Sequence, residues 1–274
     1  GSSFAFIPVV ISANQISNGD RAFAQGGIII AGLIYVILSF LIKFIGIDKI
    51  KKYFPPQVTG AMIAVIGLNL LPSAIDMAIE NLMISIITLS IAILINVYGK
   101  GFIKQLGILL AVTSGYIISL IFGEIDITSI LNANLFQIPN FTLPKFSLEA
   151  IIIIAPIVIA VFMEHVGDMT TNGTVVGKNF IEDPGLNKTL LGDGLATIIS
   201  GLIGGPANTT YGENTAVLAI TKNYNPSLLR FTAIYAILLS FIGVFGAFLQ
   251  SIPSAVMGGI SIMLFSMIAF IGAK

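Results

Sequence analysis

Ten apolar runs, separated by polar residues or by glycine and proline, divide the chain. They fall at about residues 1–16, 26–45, 55–77, 83–98, 102–122, 149–168, 188–204, 209–222, 228–249 and 253–272. Several approach the roughly 20 residues that a helix needs to cross the hydrocarbon core of a bilayer. The pattern predicts an all-α polytopic membrane protein of about ten transmembrane segments. The first and eighth runs are the shortest and the most interrupted by polar residues.

Composition agrees with the pattern. Hydrophobic residues make up 56% of the 274, charged residues only 9%, and the mean hydropathy is +1.00, whereas soluble domains carry about 25% charged residues. Too few charges are present to cover a soluble surface. A net charge of zero points to no nucleic acid or other polyanionic partner. With no cysteine there is no disulfide framework, thiolate metal site or thiol nucleophile. The chain opens on Gly1-Ser2-Ser3-Phe4 without a basic n-region and cleavage site, and reads as a fragment or a processed chain.

Basic residues collect in cytoplasmic loops, so their distribution tests the count of segments. Alternating the loops gives one side Lys43, Lys49, Lys51, Lys52, Lys100, Lys104, Lys178, Lys188, Lys222, Arg230 and Lys274, and the other only Arg21 and Lys145. A missed or invented helix in mid-chain would scramble that partition. Ten segments with both ends of the chain cytoplasmic is the expected topology. The long extracytoplasmic loop, about 123–147, is polar and contains proline, and reads as a linker.

The chain also repeats itself. Ser2-Ser3-Phe4-Ala5-Phe6 matches Thr209-Thr210-Tyr211-Gly212-Glu213 in order of residue type, Ile34-Tyr35 and Ser39-Phe40 recur as Ile234-Tyr235 and Ser240-Phe241, and Pro55 with Gly60 recurs as Pro253 with Gly258. The first and eighth segments are an odd number of crossings apart, so the repeat is inverted. Inverted repeats mark secondary transporters, in which broken helices of the two halves meet near the midplane and form the substrate site.

The eighth segment is entered through Gly204-Gly205-Pro206-Ala207-Asn208-Thr209-Thr210-Tyr211-Gly212, a run hostile to helix. A helix from Glu213 to Thr221 would be roughly 13 Å long at 1.5 Å per residue, under half of the roughly 30 Å core. The extended stretch before it, and its counterpart at Ser2–Phe6, expose backbone groups that only protein or a polar cavity can satisfy. Two short strands pairing with each other are expected there. Glu164 closes the apolar run Ile151–Met163, and Asp168 lies four residues on, on the same helix face. Carboxylates within a membrane are costly and normally face the bundle interior on a substrate or ion path. His165 and Asp168 read either as part of that site or as solvated beyond the membrane end. Asp193, in Leu191-Gly192-Asp193-Gly194, reads as a packing or loop partner, and Glu182 and Asp183 as solvated.

Glu164-His165-Val166-Gly167-Asp168, Asp183-Pro184-Gly185-Leu186 and above all Asn208-Thr209-Thr210-Tyr211-Gly212-Glu213-Asn214 resemble the uracil permeases of the nucleobase-ascorbate transporter family. The resemblance runs through the whole chain. It implies fourteen helices in two inverted repeats of seven, a core domain and a gate domain, and proton symport, with this chain running from the third helix into the twelfth. It also implies substrate contacts at Phe4, Glu164, Tyr211, Gly212 and Glu213. Asp168 stands where close uracil permeases often carry a histidine implicated in proton coupling, so Asp168 or Glu164 is the expected proton carrier. Ala216 replaces a glycine of the family's motif. Two glutamates, backbone groups of the broken segments and an aromatic face from Phe4 or Tyr211 suit the two N–H donors, two carbonyls and flat ring of uracil.

The expected divisions are 1–50 and 51–147 for the core and gate helices of the first repeat, 148–250 for the second-repeat core, and 251–274 for the start of its gate. Expected partners are uracil or a related nucleobase, the lipid bilayer and a second copy in a homodimer, with no cofactor besides the coupling proton. Two transporter alternatives are xanthine or another nucleobase, and an anion, although Glu213 at a half-helix N-terminus opposes the anion. A remote alternative is an intramembrane aspartyl protease using Asp168 and Asp193, for which Leu190 spoils the Gly-x-Gly-Asp motif. The topology predicts that a single cysteine at Lys145 reacts with an impermeant reagent from outside, whereas one at Lys51 is spared until the membrane is opened. The reverse labelling pattern would overturn it.

Overall fold

A computed structural model describes residues 1–274 except 47–48, 50–55, 212–213, 216–217, 220–221 and 274. The described chain is mostly helical. Its helices are α1 (Phe6–Ile16), α2 (Arg21–Ile45), α3 (Pro56–Ile79), α4 (Leu82–Tyr98), α5 (Gly101–Gln105), α6 (Gly107–Ile121), α7 (Thr128–Leu131), α8 (Leu148–Ile154), α9 (Ile157–Val176), α10 (Leu186–Ile203), α11 (Pro226–Ser240), α12 (Gly243–Gln250) and α13 (Ser254–Ala273). Asn214, Thr215, Leu218 and Ala219 are helical as well. Each of the ten apolar runs therefore contains helix.

Three runs are broken. Leu106 separates α5 from α6. Pro156, which has no N–H to continue the ladder, separates α8 from α9. The ninth run ends α11 at Ser240, restarts at Gly243 and then bends by 76° into α13. Among the described residues α2 and the stretch Leu148–Val176 are long and apolar enough to cross a membrane alone, and the bent α12–α13 pair makes a third. Shorter apolar helices fill the rest, among them α1, α4, α6 and α11.

The chain packs as two compact units, residues 1–66 with 140–221 and 272–274, and residues 67–139 with 222–271. Residues 56–66 and 140–147 thus cluster with the first unit, and 222–250 with the second.

In the first unit α2 lies against α10 at backbone distance. A Cβ on Gly194 would sit 2.9 Å from Tyr35 Cβ and 3.1 Å from Gly32 O, and one on Gly32 would sit 2.9 Å from Gly194 O. Small residues are what permit helices to approach this closely where lipid supplies no hydrophobic drive. Around this contact Phe6, Ile28, Tyr35, Ile154, Val158 and Leu190 form the core. Asp20 caps α2 through Ala22 N at 3.0 Å and takes a 2.8 Å bond from Lys145 Nζ. That lysine bond, with the cap, holds the Asp20 carboxyl below its ordinary range. Its stabilisation is therefore present above the ordinary carboxylate range and lost as pH falls through the lowered value.

In the second unit Ile84, Ala92, Ala111, Val256 and Ile260 make a separate core among α4, α6 and α13. The break after α11 is closed by the loop expected to be a linker. Gln137 N donates to Phe241 O at 2.9 Å, Gly243 N donates to Leu135 O at 3.2 Å, and Phe136 stacks on Phe241 with centroids 5.8 Å apart.

The two paired strands are not formed among the described residues. A single antiparallel bridge, Ser2 with Asn208, stands in their place. The pairing stops because the chain turns at Phe4–Ala5 into α1, where Phe6 N already donates to Ser3 O and Ile7 N to Phe4 O.

Gly194→Val forces α2 from α10 and should cost about 1–3 kcal/mol as an overpacking change. A thermal-unfolding midpoint in detergent equal to that of the wild type would overturn the close-packing account.

Candidate functional site

The site is organised by the non-helical chain that leaves the end of α10. Gly204 ends the helix in a left-handed conformation with φ of 90°, which glycine adopts without steric cost. Pro206, which has no N–H, then cannot extend the α10 ladder. The extended residues 206–211 carry backbone groups that no helix satisfies, and α10 itself supplies partners. Ser200 Oγ donates to Pro206 O at 2.6 Å, Thr197 Oγ1 accepts from Asn208 N at 3.1 Å, and Asp193 Oδ2 accepts from Thr210 Oγ1 at 3.2 Å.

Thr189, Asp193, Thr197 and Ser200 are spaced four, four and three residues apart and so form one stripe on the helix. Moving from Ser200 back to Asp193, the stripe meets Pro206, Asn208 and Thr210 in turn. The extended segment runs antiparallel beside its own preceding helix.

Its other edge meets the start of the chain. Ser3 N donates to Ala207 O, Thr209 N to Gly1 O and Gly1 N to Thr209 O, each at 2.8 Å. Tyr211 OH donates to Ser2 O at 2.6 Å. Its ring lies parallel to that of Phe4, 4° apart in plane, with centroids separated by 5.9 Å. A base sandwiched between two rings would need about 7 Å or more at ordinary contact distances. The two rings form one aromatic wall.

Helix α9 closes the arrangement. Glu164 and Asp168 are both half-buried and lie one turn apart. His165, next to Glu164 but turned into the core, is only 2% exposed. Its Nδ1 is 2.9 Å from Asp193 Oδ2 and 3.3 Å from Thr210 Oγ1, and its Nε2 is 2.9 Å from Thr189 Oγ1. Two turns further on, Thr215 Oγ1 donates to Asn172 Oδ1 at 2.7 Å. Thr210 and Thr215, which bracket Tyr211-Gly212-Glu213 in the sequence, are thereby both held to α9. Gly212 and Glu213 themselves, with Ala216, lie outside the described residues.

Of the expected contacts, the structure brings Phe4 and Tyr211 together and connects α9 at His165, the neighbour of Glu164, to the same segment. Sequence reasoning left His165 undecided between site and solvent, and missed the polar stripe of α10. The signal was available: Thr189, Asp193, Thr197 and Ser200 are a helical-period series in an otherwise apolar run. Asp193, expected to be a packing or loop partner, accepts from Thr210 and pairs with His165.

Residues 1–274 match the permease family from end to end. The chain belongs to that family. Its relatives include a probable uracil permease of Haemophilus influenzae, 40% identical over 280 residues covering 99% of this chain and 67% of the relative. The uracil permease of Paenibacillus larvae is 38% identical over 289 residues, 100% of this chain and 68% of that one. That of Escherichia coli strain K12 is 39% identical over 285 residues, 100% and 66%. This permease thus spans about two thirds of the length of its relatives. Its fold is that of the transmembrane domain of a cyanobacterial bicarbonate transporter, BicA, with a TM-score of 0.70 at 18% identity, covering 97% of this chain and 72% of that one. Family and fold make it a multi-pass membrane protein. Permeases are transporters and not enzymes, so the aspartyl-protease alternative falls.

Thr197 is fully buried and accepts the Asn208 N–H. Thr197→Val keeps the shape and strands that donor, a loss of about 1–3 kcal/mol. Hydrogen exchange at the Asn208 amide should accelerate, and unchanged protection would remove the stripe from the account of the site.

Proposed function

We propose that this permease imports uracil across the cytoplasmic membrane by proton symport, on a fold of seven-plus-seven inverted repeats with both ends of this chain cytoplasmic. In this reading the first unit binds the base and the second serves as the gate. The observation that carries it is the crossing of residues 1–3 with 207–209, a segment held to α9 through His165 and Thr210. Stacked aromatic rings and non-helical backbone there adjoin the helix that bears the half-buried Glu164 and Asp168.

Uracil is a flat ring with two N–H donors and two carbonyl acceptors. An ionised carboxylate accepts from N–H groups, and a protonated one also donates to a carbonyl. Glu164 and Glu213 take the polar edge of the base, and Phe4 or Tyr211 its face, with backbone groups near Gly212 completing the contacts. Thr210 and Thr215 are both anchored to α9, the helix that bears Glu164 and Asp168. The names of relatives 38–40% identical over essentially the whole chain support uracil over other bases.

Proton coupling follows from the same groups. A carboxylate at membrane depth binds a proton or a hydrogen-bonding partner at lower cost than it stays bare. Glu164 accepting the base and Asp168 one turn away give two places for that proton. Alternation of the gate would expose the loaded site to one side and then the other.

Glu164→Ala and Glu213→Ala should each weaken uracil binding at least about tenfold to a hundredfold, since a lost charge-assisted bond costs about 1.5–3 kcal/mol and leaves unpaired groups. Glu182→Ala, in the exposed turn before α10, should leave it unchanged. Asp168→Asn should alter the pH profile of uptake more than affinity. Calorimetric titration with uracil, with competition by xanthine and sulfate in uptake, reads all of these. Wild-type affinity in either alanine variant removes that glutamate from the site, and stronger competition by xanthine or sulfate replaces uracil as the substrate.

A further inference from the structure

His165 is buried, titratable and has no part in the binding chemistry above. Its surroundings can be resolved by counting donors. Thr189 has one hydroxyl hydrogen, and it donates to Leu186 O at 3.0 Å. Thr189 Oγ1 also lies 2.9 Å from His165 Nε2, where a hydroxyl serves as acceptor or donor. On the opposite side the hydroxyl hydrogen of Thr210 is committed to Asp193 Oδ2 at 3.2 Å. Nδ1 therefore meets a lone pair of Thr210 at 3.3 Å and a carboxylate oxygen of Asp193 at 2.9 Å, both acceptors. Hydrogen on Nδ1, directed at the nearer carboxylate and shared with Thr210, satisfies that side of the ring.

The elements joined are three: α9 through His165, α10 through Thr189 and Asp193, and the extended segment through Thr210. A buried charge is tolerated when it is paired and hydrogen-bonded, and breaking such a pair costs far more than the pair contributes. Thr210 is the residue before Tyr211, and its hydroxyl is held by both members of the pair. Shifting it would move the Tyr211 ring and the backbone beyond it.

Resting on the nucleobase reading above, we propose that His165 is a positioning residue. Paired with Asp193 through Nδ1, it fixes Thr210 and thereby the register of Tyr211 against α9, without touching the substrate.

Two measurements on the purified protein test this, one of which needs no substrate. His165 is the chain's single histidine, so its ring signals in ¹⁵N-histidine spectra of bilayer-embedded protein, purified without a histidine tag, are those that vanish in His165→Asn. Nδ1 should show the protonated signature in the wild type and in Thr210→Val, and its signal should shift in Asp193→Asn. A bare Nδ1 in the wild type would overturn the pairing. In uracil titrations His165→Asn should weaken affinity at least about tenfold and Thr210→Val about three- to tenfold. The Thr210 variant should do so with an unchanged thermal midpoint, which separates positioning from folding. Wild-type affinity in Thr210→Val with the ring signals intact would overturn the positioning role alone. A wild-type protein that does not bind uracil would overturn the nucleobase reading and the role that rests on it, while the ring signals would still decide the pairing.

Discussion

A backbone N–H or C=O at membrane depth has no water to bond, and leaving one unpaired costs several kcal/mol. A transporter site nevertheless needs non-helical chain there, because a helix wraps its backbone groups around its own axis and offers none to a substrate. At the end of α10 this permease has non-helical chain whose freed backbone groups are bonded. Its polar stripe receives the chain as it leaves the helix, so the groups that the helix no longer satisfies are satisfied by side chains of the helix just left. On the other edge, residues 1–3 supply backbone partners. The segment is held from two sides, with Phe4 and Tyr211 stacked at its end.

That solution explains why the site combines polar and apolar parts so unevenly. Along α10 the residues between the stripe positions are leucine, isoleucine, alanine and glycine, which pack on α2 or face outward. The 2.9 Å approach of a Gly194 Cβ to Tyr35 means that the position beside Asp193 has to be glycine for α10 to sit on α2. A shift of α10 along α2 would carry Thr189, Asp193, Thr197 and Ser200 with it. The helix contact and the polar stripe are consecutive residues on one element, and packing precision in the core becomes placement precision in the extended chain.

Much of this was readable from residues alone. Apolar runs and breakers locate every α-helix but the single turn Thr128–Leu131, because length and hydropathy answer to the bilayer and not to tertiary detail. Glu164 stands out as an acid at the end of an apolar run, and the Gly-Gly-Pro entry to the eighth segment marks extended chain. What escaped was how the extended chain is satisfied. Its breakers suggested strand pairing, the commonest way to use free backbone groups, yet one bridge and a row of side chains serve instead. A threonine or serine in an apolar helix is ambiguous in sequence, since it can bond its own backbone, as Thr170 and Thr174 do. Only the partner across the gap distinguishes the two uses. His165 was undecided for a similar reason: adjacent to Glu164, it points about 100° away around α9, and sequence proximity says nothing about which neighbour lies on that side.

The second unit meets the same constraint with different parts. There α11 stops at Ser240 and the chain restarts at Gly243, leaving backbone groups at Phe241–Gly243 that are bonded by Leu135 and Gln137, with Phe136 stacked on Phe241. These partners come from a polar loop far away in sequence, whereas the first unit draws them from its own preceding helix and from the start of the chain. A loop that only connected two helices could be lengthened or shortened freely, since closure entropy grows slowly with length. This one is pinned at Leu135–Gln137 to the α11–α12 break and again at Lys145, whose N–H and Nζ bond Ala22 O and Asp20. Each pin satisfies a group that would otherwise be unpaired, so the tolerance to insertion that surface loops usually have is confined to the residues between the pins.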